Sequence, residues 1–160
     1  MNKVQKTSTV RVVVDATPED VWQVVSDPTR IGDWSHECHS GRWVGGANRP
    51  VVGARYRARN RAGWARWGRT SELVTVDPPH QLVWRTVPTA FFPDSTEWSL
   101  RLEPAEGGTR ITQSFRVVRA PGFLDPVYAL LVPSHRDRDA RLAADLARIG
   151  PVARQVRRVG

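Results

Sequence analysis

His36, Cys38 and His39 stand within four positions of one another. These are the residue types that ligate zinc or, as a thiol beside an imidazole, attack carbonyl carbon. In an extended chain alternation sends His36 and Cys38 to one face and His39 to the other. A structural zinc site draws four ligands at recognisable spacings, and no matching pair stands elsewhere, so no metal is expected. Ser26, Ser35 and Ser71 lack a nucleophile-elbow motif, and no glycine-rich phosphate loop follows a strand. That leaves proton transfer. Glu72, His39, Tyr56 and Asn60 are the polar residues best placed by type to point inward, and a buried carboxyl with a raised pKa serves as acid or base. Glu72, His39 and Tyr56 are the catalytic candidates, and no cofactor is expected.

The elements that would position them are legible from periodicity. Thr9 to Val14 places Val10, Val12 and Val14 on one face, a half-buried strand. Thr17-Pro18-Glu19-Asp20 supplies a cap, a proline suited to the first helical position and acidic residues at the positive helix end. Asp27-Pro28 ends that helix, and a second short one is predicted over Thr29 to Trp34. Beyond Glu37, glycines and prolines divide the chain into strand-length pieces. Arg55, Arg57, Arg59 and Arg61 alternate with Ala54, Tyr56, Ala58 and Asn60, so arginine faces water and Tyr56 faces inward. Arg66 and Arg69 are expected to continue this basic outer face, although the register of the Arg66 to Val76 strand is ambiguous. Gln81 to Val87 follows the Asp77-Pro78-Pro79-His80 turn; Thr96, Trp98, Leu100 and Leu102 share one face, as do Ile111, Gln113, Phe115 and Val117.

A final helix is predicted from near Ser134, with Leu142, Ala143, Leu146 and Ile149 on one stripe. Gly150-Pro151 is expected to break or bend it, leaving a frayed basic tail with Arg154, Arg157 and Arg158. The expectation is one domain over residues 1–160, with a core at 9–150 and a tail at 151–160. Six strands after the helix pair, added to the first, make a curved seven-stranded antiparallel sheet of α+β class wrapped around one long C-terminal helix. One amphipathic helix cannot fill the concavity of such a sheet.

Composition narrows the partners. The chain has 160 residues, a formal charge of +8 carried almost wholly by arginine, seven tryptophans and a single cysteine. No internal disulfide is possible, residues 1–6 lack the apolar core of a secretory signal, and no stretch approaches the roughly 20 apolar residues of a membrane span, so the cytoplasm is the expected location. An arginine-rich surface attracts anions, which brings in an anionic membrane surface or a protein partner. Nucleic acid is disfavoured because the aromatics alternate inward instead of standing exposed for stacking.

Asp15-Ala16-Thr17-Pro18-Glu19-Asp20-Val21-Trp22, Ser26-Asp27-Pro28 with Trp34-Ser35, Val76-Asp77-Pro78-Pro79, and Leu102-Glu103-Pro104 with Gly107-Gly108-Thr109-Arg110-Ile111-Thr112 together resemble the START-related SRPBCC superfamily, and within it the polyketide cyclase/dehydrase and lipid-transport group. The resemblance spans roughly Val10 to Ile149 and implies a helix-grip fold and a cavity for lipids, sterols, quinones or polyketides. Its motifs place caps, hinges and turns, so they assign no chemistry. The ligand-binding candidates are Trp34, Trp43, Tyr56, Trp67, Trp84, Trp98 and Phe115 from the sheet side, and Leu142 and Leu146 from the helix. The apolar loops Pro88 to Pro93 and Ala120 to Pro133 are expected to border the mouth. Three functions stay open: a carrier of a small hydrophobic ligand, a cyclase or dehydratase, and an interaction module whose basic sheet face binds an anionic partner in a salt-sensitive way.

Overall fold

A computed structural model describes residues 5–124, 126, 130 and 137–159. The strands are β1 (Thr7–Val14), β2 (Cys38–Val44), β3 (Arg55–Ala62), β4 (Ala65–Asp77), β5 (Gln81–Thr86), β6 (Ser95–Ala105) and β7 (Gly108–Arg119). They form one antiparallel sheet in the order β1-β7-β6-β5-β4-β3-β2. Helix α1 (Pro18–Val25) and a 3-10 helix (Pro28–Asp33) follow β1, and helix α2 (Asp139–Val159) closes the chain. This is the expected helix-grip arrangement.

Local chemistry accounts for the elements. The Thr17 side chain accepts a hydrogen bond from the Asp20 N–H at 3.2 Å and Pro18 occupies the first turn of α1, while Asp27 accepts from the Thr29 N–H at 3.0 Å to start the 3-10 helix. The hairpin from β6 to β7 turns at Gly107 and Gly108, both at positive φ; a Cβ on Gly108 would stand 2.1 Å from the Val14 carbonyl oxygen, so only glycine fits. In β3 every arginine is exposed and Tyr56, Ala58 and Asn60 are buried, as the alternation predicts.

Two expectations about α2 need amendment. Ser134, its predicted cap, lies outside the described residues. The predicted break at Gly150-Pro151 does not occur, and the helix continues through Pro151 to Val159. Proline costs the helix one backbone hydrogen bond, but Ile149, Gly150 and Ala153 are buried on either side of it. Gly150 brings the helix onto β1, where a Cβ would already meet the Val14 Cβ at 3.1 Å. Arg154 then donates to the Asp15 carbonyl at 2.9 Å. Tertiary packing thus holds a helix that local sequence alone would interrupt.

The molecule has a filled end and a hollow end. At the filled end Val14, Val21, Val24, Leu100, Leu102, Ile111, Leu146 and Ile149 make a dry core between the sheet, α1 and α2. The main backbone contacts of α2 are with β1 and α1. The concave face of β3 to β6 is therefore left for the other end. There the inward residues of the floor are small, Ala58 on β3 and Ser71 on β4, and the large rings stand on the walls. No helix among the described residues is long and apolar enough to cross a membrane.

Candidate functional site

The hollow end encloses a cavity of about 370 Å³. That lies within the range of small-molecule pockets. Five tryptophans line it: Trp34 at the end of the 3-10 helix, Trp64 in the β3–β4 hairpin, Trp67 on β4, Trp84 on β5 and Trp98 on β6. Trp84 and Trp98 are neighbours in strand register, with parallel rings whose centroids lie 6.2 Å apart. Tyr56 and Leu142 complete the predicted lining that the structure brings together.

Three predicted lining residues lie elsewhere. Trp43 sits behind Tyr56, edge to face at 6.4 Å and 87°, and borders only a minor crevice. Phe115 is buried beneath Trp98, with ring centroids 4.9 Å apart. Leu146 belongs to the dry core. Each points inward as its spacing requires, but another ring or the depth of the core separates it from the cavity.

The catalytic candidates fare differently. Glu72 faces outward and accepts from the Arg55 guanidinium at 2.7 Å. His39 is exposed: the register slips between Cys38 and Ser40, so His39 is the extra residue of a bulge. Only Tyr56 reaches the cavity. Burial pushes its phenol pKa well up, the neighbouring Cys38 adding to the effect and the Ser71 hydroxyl opposing it. Tyr56 is thus a neutral hydrogen-bonding group at physiological pH. His36 is committed to Asp145, and among the described residues no group of three His, Cys, Asp or Glu side chains is disposed to hold a metal.

Polar groups that periodicity passed over surround the same space. His36 places Nδ1 2.7 Å from one Asp145 oxygen; the other accepts from the His36 N–H at 3.0 Å and from Arg148 at 2.6 Å. Arg138 pairs with Glu37 at 3.1 Å and lies over the Trp98 and Phe115 rings. Arg69, expected on the outer face, points inward. It shares parity with Trp67 and Ser71, grips both Asp94 carboxylate oxygens at 3.0 and 3.1 Å and donates to the Asp94 carbonyl. Phe92 covers its guanidinium at 5.2 Å. Two signals were present in the sequence. Asp145 is the one acid on the Leu142, Leu146, Ile149 stripe of α2, and Gln113 is the one amide on the inward face of β7.

Phe92 and Asp94 on the β5–β6 connection and Ala120 and Pro121 after β7 border the cavity. Phe91 and Phe123 in these loops, and Trp64 in the β3–β4 hairpin, are largely exposed. The remaining stretch of the second loop, including Val127, Tyr128 and Leu131, lies outside the described residues.

Cys38 lines the cavity too. Burial, with the Glu37 charge adding to it, pushes its thiol pKa from 9.0 up to about 12. A thiol held neutral by the fold contributes stability fully below its unfolded pKa of 9.0 and loses that contribution as pH rises from 9 towards 12. Iodoacetamide at pH 8 is accordingly expected to leave Cys38 unmodified in the native protein and to alkylate it in denaturant, read by intact mass. Equal rates in the two states would contradict this environment.

Residues 5–147 match the family model described as polyketide cyclase/dehydrase and lipid transport. Among solved structures, a protein from Nitrosomonas europaea superposes with a TM-score of 0.69 at 12% identity, covering 95% of this chain and 96% of its own. A protein from Mesorhizobium loti gives 0.64 at 16% identity, covering 94% and 98%. A polyketide-cyclase-like protein from Corynebacterium glutamicum gives 0.54 at 25% identity, covering 96% and 91%. No curated protein matches. With the family model spanning the sheet, both short helices and the first turns of α2, the chain belongs to the polyketide cyclase/dehydrase and lipid transport family.

Proposed function

We propose that the protein binds a small, largely apolar molecule inside the cavity between its sheet and α2, and carries it unchanged. The observation that carries this reading is the hollow of about 370 Å³ walled by five tryptophans. Burying an apolar ligand there removes its surface from water at roughly 25 cal/mol per Å². The buried charges favour carriage over chemistry, since Arg69, Arg138 and Asp145 each already have a partner. The Cys38 thiol and the Tyr56 phenol that line the cavity are held in their neutral forms. Native mass spectrometry of freshly purified protein tests the reading. The expected result is a noncovalent adduct of small-molecule mass that is released intact on denaturation. Absence of any adduct, together with no uptake from a panel of apolar compounds, would overturn it.

One observation supports a second reading, the cyclase or dehydratase. His36 lines the cavity with its Nδ1 held 2.7 Å from Asp145, as a carboxylate orients a histidine base, which leaves Nε2 for a substrate. Conversion of an added dicarbonyl compound by wild-type protein, lost in His36→Gln, would favour that reading; recovery of the compound unchanged from both favours carriage.

A further inference from the structure

On the outer face of the sheet one row of charges is balanced. Strand register sets Arg116, Glu97, Arg85, Glu72 and Arg55 side by side from β7 to β3. Ion pairs join Glu97 to both Arg85 and Arg116, and Glu72 to Arg55. Towards the β3–β4 hairpin the balance ends. Arg42 stands directly opposite Arg57 and Arg61 directly opposite Arg66, with Arg59 between Arg57 and Arg61 along β3. All five are exposed. Like charges set opposite one another in a sheet are destabilising, and the balanced row on the same face avoids that cost. The large exposed rings gather at the hairpin's end of the sheet. β3 turns into β4 there, β5 leads into β6 there, and β7 finishes there, with Arg119 opposite Ser95. Each connection presents one ring: Trp64 is 77% exposed, Phe91 91% and Phe123 75%. Trp64 itself and the nearby Phe92 and Pro121 line the cavity, so the rings stand around its mouth. The acids that line the cavity, Glu37, Asp94 and Asp145, are taken up by Arg138, Arg69 and Arg148.

We infer that this end of the protein docks on an anionic phospholipid bilayer, with Trp64 and Phe91 seated in the interface and Arg61 and Arg66 among the headgroup phosphates. The surface stands on charge complementarity and exposed rings, and it does not depend on what the cavity holds. An indole or phenyl ring has an apolar body that leaves water at the boundary of the acyl chains, and the indole N–H stays with the polar layer. Arginine complements it, since a guanidinium offers a planar fork to phosphate oxygens. Arg61 and Arg66 lie three and two positions from Trp64 in one hairpin, so a single approach engages all three. A nucleic-acid strand instead asks for aromatic platforms set along the track of its phosphates. Here the rings are on three separate connections at the end of the sheet, off the arginine face.

Vesicle sedimentation of the full chain tests the surface. Phosphatidylcholine vesicles containing about one-third phosphatidylserine are expected to bind at least about tenfold more protein than phosphatidylcholine alone, and the difference should vanish in about 0.5 M salt. Arg61→Gln combined with Arg66→Gln should weaken binding by about tenfold or more, and Trp64→Ala combined with Phe91→Ala by a similar factor. Arg101→Gln combined with Arg110→Gln removes the same charge from exposed positions at the filled end and should change binding by less than about twofold. All six positions are exposed, so each variant should melt within a few degrees of wild type. Equal binding to the two vesicle types, or none to either, would overturn the inference. An equal loss in both arginine variants would also overturn it, because charge anywhere on the surface would then suffice. Full binding by the Trp64→Ala, Phe91→Ala protein would remove the seated rings, and with them the proposal. Tighter binding of a single-stranded oligonucleotide than of the anionic vesicles at the same salt would assign the arginines to nucleic acid and overturn it equally.

Discussion

Ala58→Trp is expected to weaken binding of naphthalene, an apolar probe of the cavity, by at least about 100-fold, equivalent to roughly 2.7 kcal/mol, while the protein stays folded. Ala58 is buried in the middle of β3, with Tyr56 and Asn60 on the same inward face, and it forms part of the cavity floor. An indole in its place projects into the hollow and occupies the volume the ligand needs. Overpacking a filled core costs about 1–3 kcal/mol, but here the added ring meets open space and the Trp67 and Trp84 walls, so its burial offsets much of that strain. Thermal denaturation should shift by a few degrees at most, and calorimetry should show the loss. Undiminished binding in a folded Ala58→Trp protein would mean that ligands bind outside this space.

The second large effect concerns stability. Asp94→Ala removes the carboxylate that grips Arg69, whose side chain is only 11% exposed. Breaking a buried pair by deleting one partner leaves an uncompensated charge and costs about 3–5 kcal/mol. For a chain of this length that is a fall in Tm of roughly 6–20 °C. The combination Arg69→Met with Asp94→Ala should recover more than half of the loss, because no charge then remains buried. A single variant as stable as wild type, or a double variant no better than the single, would show that the guanidinium is adequately solvated through the cavity mouth.

The dependence of the site on Arg69 marks where the sequence was readable and where it was not. Alternation sufficed for the strands, because a period of two needs only the local run of residues: the β3 arginines, Tyr56 and the β7 face all lie where spacing puts them. In β4 no such run exists. Trp67 and Arg69 share a face, yet an arginine beside a row of exposed arginines reads as solvated, and only Asp94, 25 positions on, makes an inward guanidinium tolerable. Long-range ion pairs of this kind leave no periodic trace. The same holds for His36 and Asp145, separated by 109 positions.

Depth is the other quantity that spacing does not encode. Trp98 and Phe115 both point inward, but Trp98 covers Phe115 from the cavity. Tyr56 is on the lining where Trp43, its neighbour in β2, is not. Parity gives the face of a sheet and not the order of side chains above it. The course of α2 was hidden for a related reason. Pro151 is a local stop signal, overridden by burial of Ile149 and Ala153 beneath the sheet.

The indole N–H signals of the seven tryptophans give the most direct test of an internal site, because each reports a known position relative to the cavity. Addition of naphthalene to protein labelled with nitrogen-15 is predicted to shift the signals of Trp34, Trp64, Trp67, Trp84 and Trp98, which line the hollow. Trp22, in the dry core, and Trp43, behind Tyr56, should stay in place. Uniform shifts across all seven, or shifts confined to Trp22 and Trp43, would contradict a ligand held between the sheet and α2.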